Sequence, residues 1–221
     1  MIFRSALCLT LLAVPVVACA AEPKLETDDQ KTVYALGAAS ATSLKAFQLT
    51  PQETELLVAG LRDALLGKAR LNPQEFMPKI QTFVKARNER AMAEEREGSK
   101  KFLEDAGKQA GASVKSSGLV YIEKKKGDGP APSATSTVKV HYRGTLRDGT
   151  EFDSSYKRNE PAEFPLNGVI PCWTEALQLM QVGGKAEIYC PSAIAYGDTG
   201  QGQLIRPGAA LRFEVELLAV Q

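Results

Sequence analysis

Near Gly118 the spacing of apolar residues changes from three and four to two, so the chain is built in two parts of different kinds, helical before and sheet after. The first part carries three helix-start signals: Thr27-x-x-Gln30, Thr50-Pro51-x-Glu53 and Asn72-Pro73-x-Glu75. Each sets an N-cap residue three before a Glu or Gln that can reach back to it, and the last two add Pro at the first helical position, where its missing N–H costs nothing. The first predicted helix carries Val33, Leu36, Ser40, Leu44 and Phe47, with Gly37, Ala38, Ala39 and Ala41 between them allowing close approach of another helix. The second carries Leu57, Leu61 and Leu65 and stops near Gly67. The third opens with Phe76, Ile80, Phe83 and Val84, and Pro78 is expected to kink it or delay its start.

After Val84 the apolar stripe gives way to Lys85, Arg87, Glu89, Arg90, Glu94, Glu95, Arg96 and Glu97, the pattern of a helix solvated on most sides. It reads as a stalk. From Asn72 to Gly111 it could reach about 60 Å at 1.5 Å per residue, with Gly98, Gly107 and Gly111 making that an upper bound. Three helices with so little shared apolar surface make a poor core alone, since a domain well under 100 residues is marginal. Self-association would supply the missing burial; the alternative is a monomer whose helices pack on the second half.

From Gly118 onward, Leu119–Ile122, Val138–Leu146, Ala186–Cys190 and Leu211–Leu217 alternate as strands, and Asp148-Gly149 marks a hairpin turn. Trp173–Met180 is the one amphipathic helical segment. The fold class is therefore α+β, with a helical module over 27–112 and an antiparallel sheet wrapped on one short helix over 113–221. Gly127–Ser136 reads as a loop within the second part.

The formal net charge is +1, and acidic and basic residues are equal in number from Val114 to Gln221, so the basic footprint that nucleic acid requires is missing. The opening MIFRSALCLTLLAVPVVACA has Arg4 before an apolar run and then small residues, the pattern of a secretory signal peptide over 1–20. The run is shorter than the about 20 residues a spanning helix needs. Two processing routes stay open: cleavage before Ala21, giving a periplasmic protein, or acylation of Cys19 within Val16-Val17-Ala18-Cys19, giving an outer-membrane lipoprotein. Cys172 and Cys190 remain in the folded part, and export suggests a disulfide between them, against the alternative of two small buried hydrophobes.

Most chemistries lack their residues. His141 is the single histidine, so neither a zinc site nor a Cys–His nucleophile has its usual ligands or geometry. Alternation on its strand sends His141 and Tyr142 to opposite faces. No phosphate-binding or dinucleotide-binding glycine motif occurs. No cofactor and no metal are expected. What remains is an apolar and aromatic set, Tyr142, Phe152, Val169, Ile170, Trp173, Tyr196 and Phe213, which composition alone would assign to core.

Four blocks carry more than composition: Val140-His141-Tyr142-Arg143-Gly144-Thr145-Leu146, Asp148-Gly149-Thr150-Glu151-Phe152-Asp153-Ser154-Ser155, Val169-Ile170-Pro171-Cys172-Trp173 and Ala195-Tyr196-Gly197. In that order they resemble the FKBP-type peptidyl-prolyl isomerases, from about Gly118 to Val220. The helical half resembles, more loosely, the dimerisation domain of the bacterial macrophage infectivity potentiator and FkpA-like subfamily. The resemblance implies a half-barrel curled round a short helix, with Trp173 as the pocket floor, Tyr142, Phe152 and Phe213 as aromatic walls, and Val169, Ile170 and Ile205 as apolar lining. It further implies that Tyr196 and the Ile170 N–H bond substrate carbonyls, and that Asp153, held by Arg158, sits at the rim.

By the same resemblance the substrates are proline-containing polypeptide clients, the assembly is a homodimer through the N-terminal helices, macrolides such as rapamycin inhibit, and chaperone activity accompanies isomerisation. The alternatives are a non-enzymatic periplasmic chaperone or a surface-binding module on an inactive fold of this type. Ala162, Gln201 and Arg206 depart from frequent residues at the pocket rim, and Cys172 stands in place of a frequent Gly. If bridged to Cys190, Cys172 would lock the helix carrying Trp173 to the strand preceding Pro191.

Overall fold

The structure, a computed structural model, describes residues 23–221; the leader, the cut before Ala21 and Cys19 lie outside them. Contacts divide the chain into a unit ending at Ala41 and a second from Thr42 to Gln221. The sequence boundary at 113 falls inside the second.

In the first unit, helix α1 (Asp28–Ser40) starts at a complete capping box: the Thr27 hydroxyl accepts from the Gln30 N–H while the Gln30 side chain accepts from the Thr27 N–H. It stops short of the Phe47 expected from spacing; the second unit opens instead on a tighter 3₁₀ helix, Thr42–Phe47. Val33, Tyr34 and Leu36 are exposed on α1.

In the second unit, α2 (Pro51–Leu65) has the same reciprocal cap from Thr50 and Glu53, and α3 (Pro73–Gly107) starts at Asn72, whose side chain accepts from the Gln74 N–H. Pro78 neither delays nor ends α3. It lies in the second turn, where the missing N–H forfeits a single bond, and 35 residues continue through it. Gly98 is also inside the helix, which stops at Gly107. Arg87 ties α3 to Glu53 of α2 at 2.5 Å.

The stalk reading needs correction at its far end. Phe102, Leu103 and Ala106 pack against Val120, Ile122 and Tyr189 of the sheet, with the Phe102 and Tyr189 rings 5.3 Å apart. Glu95, read from sequence as solvated, is buried, and so is Ser99.

Seven strands follow: β1 (Ala112–Val114), β2 (Val120–Lys125), β3 (Thr137–Leu146), β4 (Glu151–Ser154), β5 (Ala162–Pro165), β6 (Lys185–Cys190) and β7 (Leu211–Val220). They form one antiparallel sheet in the order β1-β2-β6-β7-β3-β4, with β5 paired to the first half of β3. Serving both β4 and β5 on one edge makes β3 bend, and its pairing shifts register at Lys139/Val140 and at Gly144/Thr145. The concave face closes on α4 (Pro171–Leu177). That helix begins two residues before the apolar segment suggested, because Pro171 takes the first helical position behind the N-cap Ile170. Leu166, Cys172, Ala176 and Leu177 are wholly buried against Val138, Val140, Ile188, Leu211 and Leu217.

Candidate active site

Alternation on β3 decides which side chains face the helix. Tyr142 points inward and is 4 % exposed, while His141 points away, stacks on Tyr156 at 4.7 Å and bonds the Ser155 hydroxyl through Nδ1 at 3.0 Å. The helix then supplies the centre: Trp173, in the first turn of α4, meets Tyr142, Phe164 and Phe213 edge-to-face at 5.2, 5.7 and 5.3 Å. Each such pair contributes about 0.5–1.5 kcal/mol beyond its buried area. Phe152 on β4 adds an edge-to-face contact to Phe213 at 5.6 Å.

That last contact depends on Gly144. A Cβ there would lie 2.6 Å from the Phe152 ring and 3.0 Å from Phe213, its register partner on β7. The glycine is what lets two phenyl rings share one wall.

These residues bound a cavity of about 330 Å³, lined by Tyr142, Phe152, Asp153, Phe164, Gly168, Val169, Ile170, Trp173, Tyr196 and Phe213. It is small for a ligand pocket, whose usual range is about 300–1,000 Å³. Thus eight residues singled out in the sequence meet around one space. Arg158 stands beside it, and Ile205 does not line it. The Ile205 backbone pairs with Gln201 across a short bridge and its side chain is buried in the core. Phe164 and Gly168 were missed. Period two could have found Phe164, since β5 puts it on the same face as Ala162, where an aromatic was sought and not found.

The polar groups satisfy one another at the rim. The Tyr142 hydroxyl donates to Asp153 Oδ2 and accepts from Arg158 Nη2 at 3.0 Å, and Arg158 Nη1 donates to Asp153 Oδ1 at 2.7 Å. Burial alone would raise the Asp153 pKa; the hydrogen bonds from Tyr142 and Arg158, with the Arg158 charge, outweigh it and hold the carboxyl below its ordinary value of 3.8. Burial, then the bond to Asp153, pushes Tyr142 up, and burial with the Asp153 charge does the same to Tyr196. Both phenols therefore remain donors at neutral pH.

Beneath the cavity, Cys172 of α4 and Cys190 of β6 are joined in a disulfide, both wholly buried and with Cα atoms 5.7 Å apart. Among the described residues no group of histidines, cysteines and carboxylates is arranged to hold a metal ion.

Comparison with known proteins gives this arrangement a family. Residues 129–218 match the family model described as FKBP-type peptidyl-prolyl cis-trans isomerase, and residues 29–122 match the domain amino terminal to it. The FKBP-type peptidyl-prolyl cis-trans isomerase FkpA of Escherichia coli K12 is 39% identical over 223 residues, 95% of this chain and 82% of the relative. An FKBP-type 22 kDa peptidyl-prolyl cis-trans isomerase of the same organism is 41% identical over 203 residues, 90% of this chain and 98% of the relative. The crystal structure of FkpA from Escherichia coli superposes with a TM-score of 0.69 at 38% identity, over 89% of this chain and 98% of that one. With both family models matched and relatives of this identity covered over most of their length, the chain belongs to the FKBP-type peptidyl-prolyl cis-trans isomerases.

Proposed function

We propose that the cavity floored by Trp173 is where this isomerase rotates X-Pro bonds, in proline-containing segments of exported polypeptides. The observation that carries the reading is the convergence of six aromatic side chains on one space, at whose rim Tyr142, Asp153 and Arg158 are already paired with one another. Rotation about the peptide C–N bond faces about 18–20 kcal/mol because resonance must be lost, and no covalent bond needs to be made. The twisted amide is less polar at its carbonyl than the planar one. An apolar pocket withdraws the water that stabilises the planar form, and a shape that fits the twisted ring favours the transition state.

In this reading the proline ring rests on Trp173 between Tyr142, Phe152 and Phe213, with Val169 and Ile170 beside it. The Tyr196 hydroxyl and the Ile170 N–H donate to substrate carbonyls. Asp153, fixed as a carboxylate by Arg158 and Tyr142, faces the rotating amide, and macrolides such as rapamycin occupy the same space. Each 1.4 kcal/mol of differential stabilisation is about tenfold in rate, so desolvation and fit suffice without acid–base chemistry. The Cys172–Cys190 disulfide fastens the helix that carries Trp173 to the sheet.

The helical part is proposed to form a homodimer. The apolar residues exposed on α1, and Leu56, Leu57, Leu61 and Leu65 exposed on α2, support this, since a monomer seldom leaves so many large apolar side chains of one element open to water. Residues 27–112 would then be the dimerisation module and 113–221 the catalytic one, with chaperone action toward unfolded clients between the arms. The leader places the protein in the periplasm, with anchoring through Cys19 as the other processing outcome.

The test is isomerisation of a short X-Pro peptide by the mature chain, with and without rapamycin, beside Asp153→Leu and Tyr142→Ala. Macrolide-sensitive turnover that falls at least about tenfold in both folded variants is expected. Wild-type rates in both would remove the cavity from the mechanism.

A further inference from the structure

Helix α3 is charged along most of its length, yet Glu95 and Ser99 are 8 % and 5 % exposed. Burying a carboxylate and a hydroxyl is unfavourable unless each finds a partner. The partners lie on the two segments that frame the cavity. Glu95 accepts from Arg147 at Nε, 2.9 Å, and Nη2, 3.4 Å; Arg147 sits in the turn joining β3 to β4, just ahead of Phe152 and Asp153. The Ser99 hydroxyl accepts from the Ala210 N–H at 2.8 Å, at the entry to β7 and close before Phe213.

Arg96, between them, pairs with Asp198 at 2.6 Å, two residues beyond Tyr196. The segment from Tyr196 to Ala210 is tied together beside that contact, because Gly200 donates to the Tyr196 carbonyl and Gly208 to the Gly197 carbonyl. Two glycines permit the close approach. A Cβ on Gly98 would lie 2.7 Å from the Arg147 guanidinium carbon, and one on Gly208 would lie 2.7 Å from the Arg96 side chain. One turn of α3 thus holds both lips of the cavity, Phe152 and Asp153 through Arg147, and Tyr196 through Asp198 and Ala210.

We infer that Glu95, Arg96 and Ser99 are positioning residues for the isomerase, through which α3 fixes the separation of the two lips and so sets how tightly a prolyl peptide is held. The inference rests on the cavity being the isomerase site. None of the three residues lines that cavity, so they act through Arg147, Asp198 and Ala210. Widening the lips weakens ground state and transition state together while leaving the Trp173 floor unchanged, so the signature is a raised KM with kcat preserved. A helix that is only glued to the domain would change neither.

The experiment measures kcat and KM on an X-Pro peptide for the full mature chain and for Glu95→Gln, Gly98→Ala and the exchanged pair Glu95→Arg with Arg147→Glu. Glu95→Gln is expected to raise KM about three- to tenfold with kcat within about twofold, and the exchanged pair to return KM toward the wild-type value. Gly98→Ala guards against misfolding, since it removes no polar group and improves helix propensity; it displaces the Arg147 guanidinium and is expected to raise KM in the same way. Wild-type KM in folded Glu95→Gln and Gly98→Ala would overturn the inference. If Asp153→Leu and Tyr142→Ala also keep wild-type rates, the cavity assignment has failed; if they lose activity, the clasp alone has.

Discussion

The sheet and the first two helices treat apolar residues in opposite ways. In the catalytic part Leu177, Leu211 and Leu217 have no exposed surface, whereas in α2 Leu61 is 56 % exposed. The two regions have similar local signals, each with well-formed caps or turns and a clear apolar period. The difference is where the covering atoms come from. The sheet closes on its own helix within one chain, while the helices leave apolar side chains exposed, which the proposed dimer would cover. Stability in the first region is thus a property of the chain, and in the second, under the proposed dimer, a property of concentration.

The sharpest way to break this comparison is to make one substitution in both regions. Leu177→Ala leaves a cavity at the back of α4 and is expected to cost about 2–5 kcal/mol in denaturant unfolding. Leu61→Ala, measured at a dilution where monomers prevail, is expected to change folding by less than about 0.5 kcal/mol. Equal costs would mean that α2 has a complete core of its own. Next in size is the disulfide: it closes a loop of sequence separation 18, so the Cys172→Ala, Cys190→Ala double variant is expected to lose about 3 kcal/mol while keeping its fold. An unchanged midpoint would show that packing around α4 suffices without the bond.

Leu61→Glu sharpens the comparison from the other side. Charge on an exposed residue leaves the chain folded but opposes burial of that face, so light scattering of the mature protein is expected to fall from dimer to monomer mass. Turnover of a short peptide is expected to remain within about twofold, because the cavity is built from the other end of the chain. A monomeric wild type would remove the dimer proposal outright.

The two regions also differed in how far the sequence disclosed them. Thr27, Thr50 and Asn72 were legible as caps because a cap is made by residues two or three apart, and Tyr142 was separable from His141 because a strand alternates strictly. The clasp on α3 was not legible. Glu95 and Ser99 sit in a run of charged residues whose pattern is that of a solvated face, and their partners are 52 and 111 residues away. Gly98 read as a place where the helix could end, and its reason is a guanidinium from another element. The place of Ile205 was not legible for a related cause: an apolar residue in a loop of the right block turns inward or toward the cavity according to the bridge that holds it, and that bridge to Gln201 has no period.

The smallest expected effect concerns acid, and it separates the rim of the cavity from its walls. Asp153 has a folded pKa below the ordinary 3.8, so its interactions with Tyr142 and Arg158 add stability above that pH and lose it as pH falls through the folded value. The unfolding free energies of wild type and Asp153→Asn should therefore converge as pH drops from about 5 to about 2.5. The convergence should amount to no more than about 1 kcal/mol, since the carboxylate side chain is 42% exposed and solvent screens it. Over the same comparison kcat/KM should stay level from about pH 6 to 9, because Asp153 is already ionised there and Tyr142 and Tyr196 are pushed above 10.0. A titration within that range would require a proton-transferring group in a cavity that the aromatic walls otherwise make sufficient by exclusion of water and fit.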